Sequence, residues 1–197
     1  MKINNKFINT IFATLSISSI LFFSGCKATY VDNLDDNITD YSVVEEIDLN
    51  EVTEKIIDDY HFDDKKVSCK VSISTLQYQD YDFRDFFEED IGKAVEYDNK
   101  RSWLNIKSSS VNATMKDRIK RAYDYKCDIV LFTDVDIYNF DSGFINTTKD
   151  AENYVSGLIE EAHYYDLQVA AKDIDVFDNN ELKNKFDLIS YNDEELE

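Results

Sequence analysis

The sequence predicts a parallel α/β domain, and three observations carry that prediction. Short β-branched runs alternate with stretches of helical periodicity. The alternation continues through the whole chain after its first forty residues. No Gly-rich phosphate-binding turn follows any apolar run. Strand, helix and strand in succession imply parallel pairing through helical crossovers. A doubly wound sheet and a (β/α)8 barrel both satisfy the pattern. In either, chemistry sits just past the carboxyl ends of the strands.

The first segment is a leader, expected over residues 1–25. Lys2 and Lys6 form a basic start, Phe7 to Phe23 is apolar, and Ser24-Gly25-Cys26 follows. A charged start, a short apolar region and a small-residue cleavage site make a secretory signal. Cys26 directly after Ser-Gly resembles the bacterial lipobox, with Phe23 where Leu is usual. Cys26 is therefore the expected lipidation site, and the protein is expected to work outside the cytoplasm on a membrane anchor. A transmembrane span is the competing reading, but the apolar region is short for one. Residues 26–40 are polar and aperiodic and read as a tether. Residues 41–197 are expected to form the domain.

Within the domain, strands are expected at Ser42–Ile47, Val67–Ile73, Trp103–Ile106, Ile129–Thr133, Gln168–Ala171 and Asp187–Ser190. Val111–Lys126 places Met115, Ile119 and Ala122 on one helical face. Asp150–Tyr165 does the same with Ala151, Tyr154, Val155, Leu158, Ile159 and Ala162. Thr147 or Thr148 can cap this second helix, with Glu152 in its first turn. Phe83–Val95 reads as a shorter helix inside a long insertion.

Composition narrows the partners. The chain has 41 acids against 21 basic residues, a net charge of −20, so it repels nucleic acid and anionic lipid. Its 13 Phe and 13 Tyr exclude wholesale disorder. Cys69 and Cys127 either pair, as an oxidising compartment permits, or remain two buried thiols. No Cys/His spacing suggests a metal, and His61 and His163 stand alone in the sequence. No cofactor is expected.

The residues after the strands carry the chemistry. Gln77 follows the second expected strand. Thr133, Asp134, Asp136 and Tyr138 follow the fourth, Lys172 and Asp173 the fifth, and Asn192 and Asp193 the sixth. Carboxylates, a lysine, amides and tyrosines thus collect on one lip. Paired carboxylates across a glycosidic bond perform the acid and base work of sugar hydrolysis.

The stretches Asp128–Tyr138, Asp141–Phe144 and Leu167–Asp173 resemble the endo-α-1,4-polygalactosaminidase family of glycoside hydrolases, family 114. The resemblance runs from about residue 43 to the end. It implies a TIM barrel acting on a polymer of α-1,4-linked galactosamine, a cationic sugar chain. The chain holds about six of the eight β/α units, so the barrel is expected to be incomplete. The family's strand-four motif reads Asp-Asn-Val-Asp, with a catalytic first Asp. Here that position is Thr133, and Asp134 follows. Asp136 and Tyr138 keep the motif's remainder. Gln77 stands at the family's acidic position after strand two. Asn192, or Asp193 with a one-residue slip, aligns with its catalytic Glu. Lys172 matches a family lysine, and Asp173 replaces a neighbouring Asn.

The resemblance thus implies catalytic candidates Asp134 and Asp193 at degraded positions. It implies substrate contacts from Gln77, Asp136, Tyr138, Lys172, Asp173 and Asn192. The expected function is a lipid-anchored glycoside hydrolase-like protein for amino-sugar polymer. The alternatives are a non-catalytic polymer-binding lipoprotein and a truncated product.

Overall fold

Parallel strands buried on both faces read as near-continuous apolar runs, and the centre of this fold is built from such runs. The computed structural model describes residues 28–29, 31–33, 44–172 and 180–190. The expected leader, Cys26, Asp173, Asn192 and Asp193 lie outside the described residues. In chain order the strands are β1 (Ala28–Thr29), β2 (Val31–Asn33), β3 (Val44–Asp48), β4 (Lys66–Ser72), β5 (Thr75–Gln77), β6 (Ile91–Val95), β7 (Asp98–Leu104), β8 (Ile129–Thr133), β9 (Gln168–Lys172) and β10 (Leu188–Ser190). The helices are α1 (Glu54–Phe62), α2 (Ser109–Asp124), α3 (Thr148–Tyr164) and α4 (Asn180–Lys183).

The main sheet runs β1-β3-β4-β8-β9-β10-β2. From β3 to β10 the pairings are parallel. Their order follows the chain without reversal. A doubly wound sheet reverses at a switch point, whereas a barrel does not. The structure therefore selects the barrel-like alternative. Residues 28–33, expected as tether, supply β1 and β2. These pair antiparallel with β3 and β10, so one stretch borders both ends of the sheet.

Alternation along the strands divides the core in two. Val130 and Phe132 of β8 pack toward the helices, among Val111, Met115, Ile119 and Leu158. Ile129 and Leu131 point the other way, into a small cluster with Ala170 and Leu188. α2 buries Val111, Met115, Ile119 and Ala122, the spacing that its periodicity predicts. α3 is capped by Thr147, and its reciprocal partner is Asp150 and not Glu152. Both bonds of the capping box are present, because Asp150 occupies the third helical position, from which a carboxylate reaches back to the cap.

Two sequence expectations fail between β4 and α2. Trp103–Ile106 is not a parallel strand. Trp103 and Leu104 end β7, which pairs antiparallel with β5 and β6 in a separate three-stranded sheet. A short apolar run buries equally well in either setting, and Trp103 is fully buried against Phe140. Phe83–Val95 is not a helix either. It forms two 3-10 turns, Phe83–Asp85 and Glu88–Asp90, and then β6. Gly92 passes so close to the Ser142 carbonyl that a Cβ would collide with it, an approach a strand permits here only to glycine.

At the opening end of the parallel strands, two fasteners have the same construction. Asp128, just before β8, accepts from His61 at 2.9 Å and from the Val67 amide at 2.8 Å. Asp187, just before β10, accepts from His163 at 2.9 Å and from the Val169 amide at 2.7 Å. Neither histidine is therefore isolated. Each ties the end of a helix to the strand after next. Nearby, Cys69 and Cys127 form a disulfide with Cα atoms 6.0 Å apart, which settles the alternative left open by the sequence.

Candidate functional site

The carboxyl ends of β3, β4, β8 and β9 open into a polar cleft of about 260 Å³. Asp48, Ser72, Thr133 and Lys172 line it from the parallel strands. Thr75, Gln77 and Arg101 line it from the antiparallel sheet, and Arg118 from α2. A second recess of about 350 Å³ adjoins it, lined by Tyr97, Asp136 and Phe140. Thr133 and Lys172 line both. The two spaces therefore form one groove, with Thr133 and Lys172 at its waist.

The waist is set by Asp134. This residue follows β8 with φ of 60°, in the left-handed region. Asp tolerates that region better than most residues because its short polar side chain bonds locally. The turn breaks the alternation that would place Asp134 on the face opposite Thr133. Its side chain, 7% exposed, reaches the antiparallel sheet. There Oδ2 accepts from the Arg101 guanidinium, from Ser72, from Thr75 at 3.0 Å and from Thr133 at 3.3 Å. Oδ1 accepts from the Tyr97 hydroxyl at 3.4 Å, and the Ser74 hydroxyl bonds the Asp134 carbonyl. A carboxylate held by a guanidinium and four hydroxyls is built to position a loop. Proton transfer to a leaving group would need an oxygen that faces the groove without a partner.

Arg118 and Lys70, two further cations of the cleft, are paired as well. Arg118 binds Asp82 through Nε at 2.6 Å and Nη2 at 2.7 Å, and Asp80 at 3.2 Å. Burial works against the Arg118 charge, but hydrogen bonds and attraction from Asp82, with Asp80, hold its pKa above the ordinary value. Asn50 donates to Asp80 at 3.0 Å, and Lys70 lies 3.6 Å from Asp48. Tyr97 is 60% exposed, and its ring meets Trp103 and Phe140 edge-on. Partial burial, followed by the Asp134 charge, pushes its hydroxyl up to about 12. It therefore stays a hydrogen-bond donor throughout the physiological range. Among the described residues, no group of three His, Cys, Asp or Glu could hold a metal ion.

The groove thus brings together Gln77, Thr133, Asp136 and Lys172 of the expected site. Asp134 lines the second recess with Thr133, Asp136 and Lys172, its carboxylate held by Arg101. Tyr138, in the 3-10 turn Ile137–Asn139, packs half-buried against the core and lines neither recess. Asp173, Asn192 and Asp193 lie outside the described residues. Sequence reasoning missed Tyr97, Arg101, Lys70 and Arg118. Lys70 had a signal, because Lys66, Ser68, Lys70 and Ser72 put a polar residue at every second position of β4. Tyr97 and Arg101 had none.

A barrel-like α/β fold with a polar groove at the strands' carboxyl ends defines the class of barrel proteins whose chemistry sits at that face. The model of glycoside hydrolase family GH114 matches residues 35–191, and the chain belongs to that family. Among solved structures, Aspergillus fumigatus Ega3 in complex with galactosamine is similar at 27% identity and a TM-score of 0.70, over 78% of this chain. The match spans 61% of that chain, less than two thirds of its length. The glycoside hydrolase domain of PelA from Pseudomonas aeruginosa shares the fold, at 6% identity and a TM-score of 0.50, over 67% of this chain and 52% of that one. The isomalto-dextranase of Arthrobacter globiformis T6, complexed with panose, does so at 12% and 0.51, over 66% of this chain and 25% of that one. No curated protein matches the chain by sequence.

Proposed function

We propose that this protein is a lipid-anchored member of its family that holds galactosamine-type polysaccharide and cleaves it only near background. One observation carries the reading. Thr133 stands at the waist of the groove, where the family motif implies a catalytic carboxylate, and the neighbouring Asp134 is committed to Arg101. Threonine cannot donate a proton as a carboxylic acid does. Hydrolysis with either stereochemical outcome needs two carboxyl groups across the scissile bond. The two-part groove suits an extended chain of sugar rings.

The test is reducing-end release from polygalactosamine. The wild-type protein should stay near background. Thr133→Asp combined with Asn192→Glu should raise the rate, and Asp136→Asn serves as the inactive control. Robust turnover by the unaltered protein would sink the proposal and point to Asp134 with Asp193 as the working pair. Binding should favour the protonated polymer over its N-acetylated form and weaken with salt, since the attraction is Coulombic and partly exposed. Equal affinity for both polymers at low salt would count against this preference.

The anchor has separate support. A buried disulfide between Cys69 and Cys127 suits an oxidising compartment, where a lipoprotein would reside. Metabolic labelling with a fatty acid tests it. Labelling of Cys26→Ser as strong as that of wild type would exclude Cys26 as the lipidated residue.

A further inference from the structure

The end of the barrel opposite the groove carries a second depression, of about 670 Å³. Its position follows from the strands. Lys66, Asp128 and Gln168 line it at the beginnings of β4, β8 and β9, while Ser72, Thr133 and Lys172 line the groove at their ends. Four to six residue steps at about 3.3 Å each separate the two, roughly 13–20 Å. A short oligosaccharide in one therefore does not touch the other.

Two tyrosines wall this depression. Tyr123 of α2 and Tyr165, just after α3, stack with ring centroids 5.1 Å apart and planes at 28°. Tyr164 meets Tyr165 edge-on at 5.1 Å. Tyr123 is 49% exposed and Tyr164 is 78% exposed. Large aromatic rings held rigid by their neighbours and yet open to solvent are a surface built for contact. Carboxylates flank them. Asp166, at φ of 58°, forms no ion pair among the described residues. The basic residues there are already engaged: Lys126 lies 3.5 Å from Asp58, and Lys66 donates to Gln168 at 3.3 Å.

An open tyrosine face beside a carboxylate selects one chemistry. The apolar face of a pyranose packs on the ring, and an ammonium group on that sugar gains both cation–π attraction and the carboxylate. The net charge of −20 concentrates such a polycation and repels nucleic acid and anionic membrane. We infer that this end is a second docking surface for protonated hexosamine polymer, with Tyr123, Tyr164 and Tyr165 as platform and Asp166 as counter-charge. The inference rests on the polysaccharide reading proposed above. With two separated surfaces, one molecule engages a polymer at two points or joins two chains, and avidity then exceeds either single affinity.

Titration calorimetry with a short galactosamine oligomer decides it. The wild-type protein should bind two equivalents. Tyr123→Ala should weaken one of them by roughly threefold to fivefold, the size of an exposed cation–π contact, and leave the other unchanged. Tyr123→Phe should restore it, because the ring and not the hydroxyl does the stacking. Asp166→Asn, a change that leaves the platform intact, should weaken the same equivalent. One equivalent in wild type, unaffected by Tyr123→Ala and Asp166→Asn, would overturn the second surface and leave the groove reading standing. No binding by wild type at all would overturn both.

Discussion

The two ends of the parallel strands use aspartate in opposite ways. Before the strands, Asp128 and Asp187 each accept from a histidine and a strand amide, and so join one β/α unit to the next. After the strands, Asp134 leaves the sheet in a left-handed turn and takes its cation, Arg101, from the antiparallel insertion, with hydroxyls from Ser72 and Thr133 of the parallel strands as well. The first kind of site is made of neighbours in the repeating architecture. The second depends on Arg101, which belongs to a sheet outside that repeat. The opening end is therefore expected to govern stability, and the groove end to govern ligand geometry.

The largest expected effect tests the opening end. Cys69→Ser with Cys127→Ser releases a loop of 58 residues and should cost about 4 kcal/mol in urea unfolding. Affinity for galactosamine oligomer in the groove should not change. A parallel loss of affinity would break the division between the two ends. The next effect tests the groove. Arg101→Gln leaves Asp134 buried without its cation and should cost about 3 kcal/mol. Here groove affinity should fall as well. Adding Asp134→Asn should recover part of the stability, because the two side chains act as a pair.

Smaller changes sharpen the contrast. His61→Ala and His163→Ala should each cost about 1 kcal/mol, the net worth of one hydrogen bond. Their costs should add, since the two fasteners share no partner. The smallest effect is at the α3 cap. Thr147→Ala should cost roughly 0.5–1 kcal/mol. Backbone and side-chain bonds from Thr147 hold the Asp150 carboxyl below the usual range. A carboxyl lowered in the folded state stabilises above its unfolded pKa and loses that contribution as pH falls through its folded value. The Thr147→Ala penalty should thus be present at neutral pH and shrink in acid. A penalty that grows in acid would contradict this.

The division also decided what could be read from residues alone. β8, β9, α2 and α3 were legible because each is long or periodic and buries the face its pattern marks. Trp103–Ile106 was misassigned because three apolar residues in a run of four carry no record of whether their partner strand is parallel or antiparallel. Phe83–Val95 was misassigned because apolar and acidic residues there are mixed without a helical repeat, and the close approach at Gly92 is invisible in sequence. In the groove, Gln77, Asp136 and Lys172 were found through strand ends and family resemblance. Arg101 and Tyr97 were not, since each meets Asp134 across more than thirty residues of intervening chain. Asp134 itself was singled out, but a left-handed φ leaves no mark beyond the residue type.

The disulfide has a consequence for proteolysis. Residues between Cys69 and Cys127 form a covalent loop, and the whole antiparallel insertion lies inside it. Its outermost turn, around Tyr97, is exposed, the kind of site at which proteases nick a folded domain first. A cut there would yield a two-fragment molecule that migrates as one species until it is reduced. The groove wall could be opened by a protease while both halves of the barrel stay joined, each still carrying its own share of the strands.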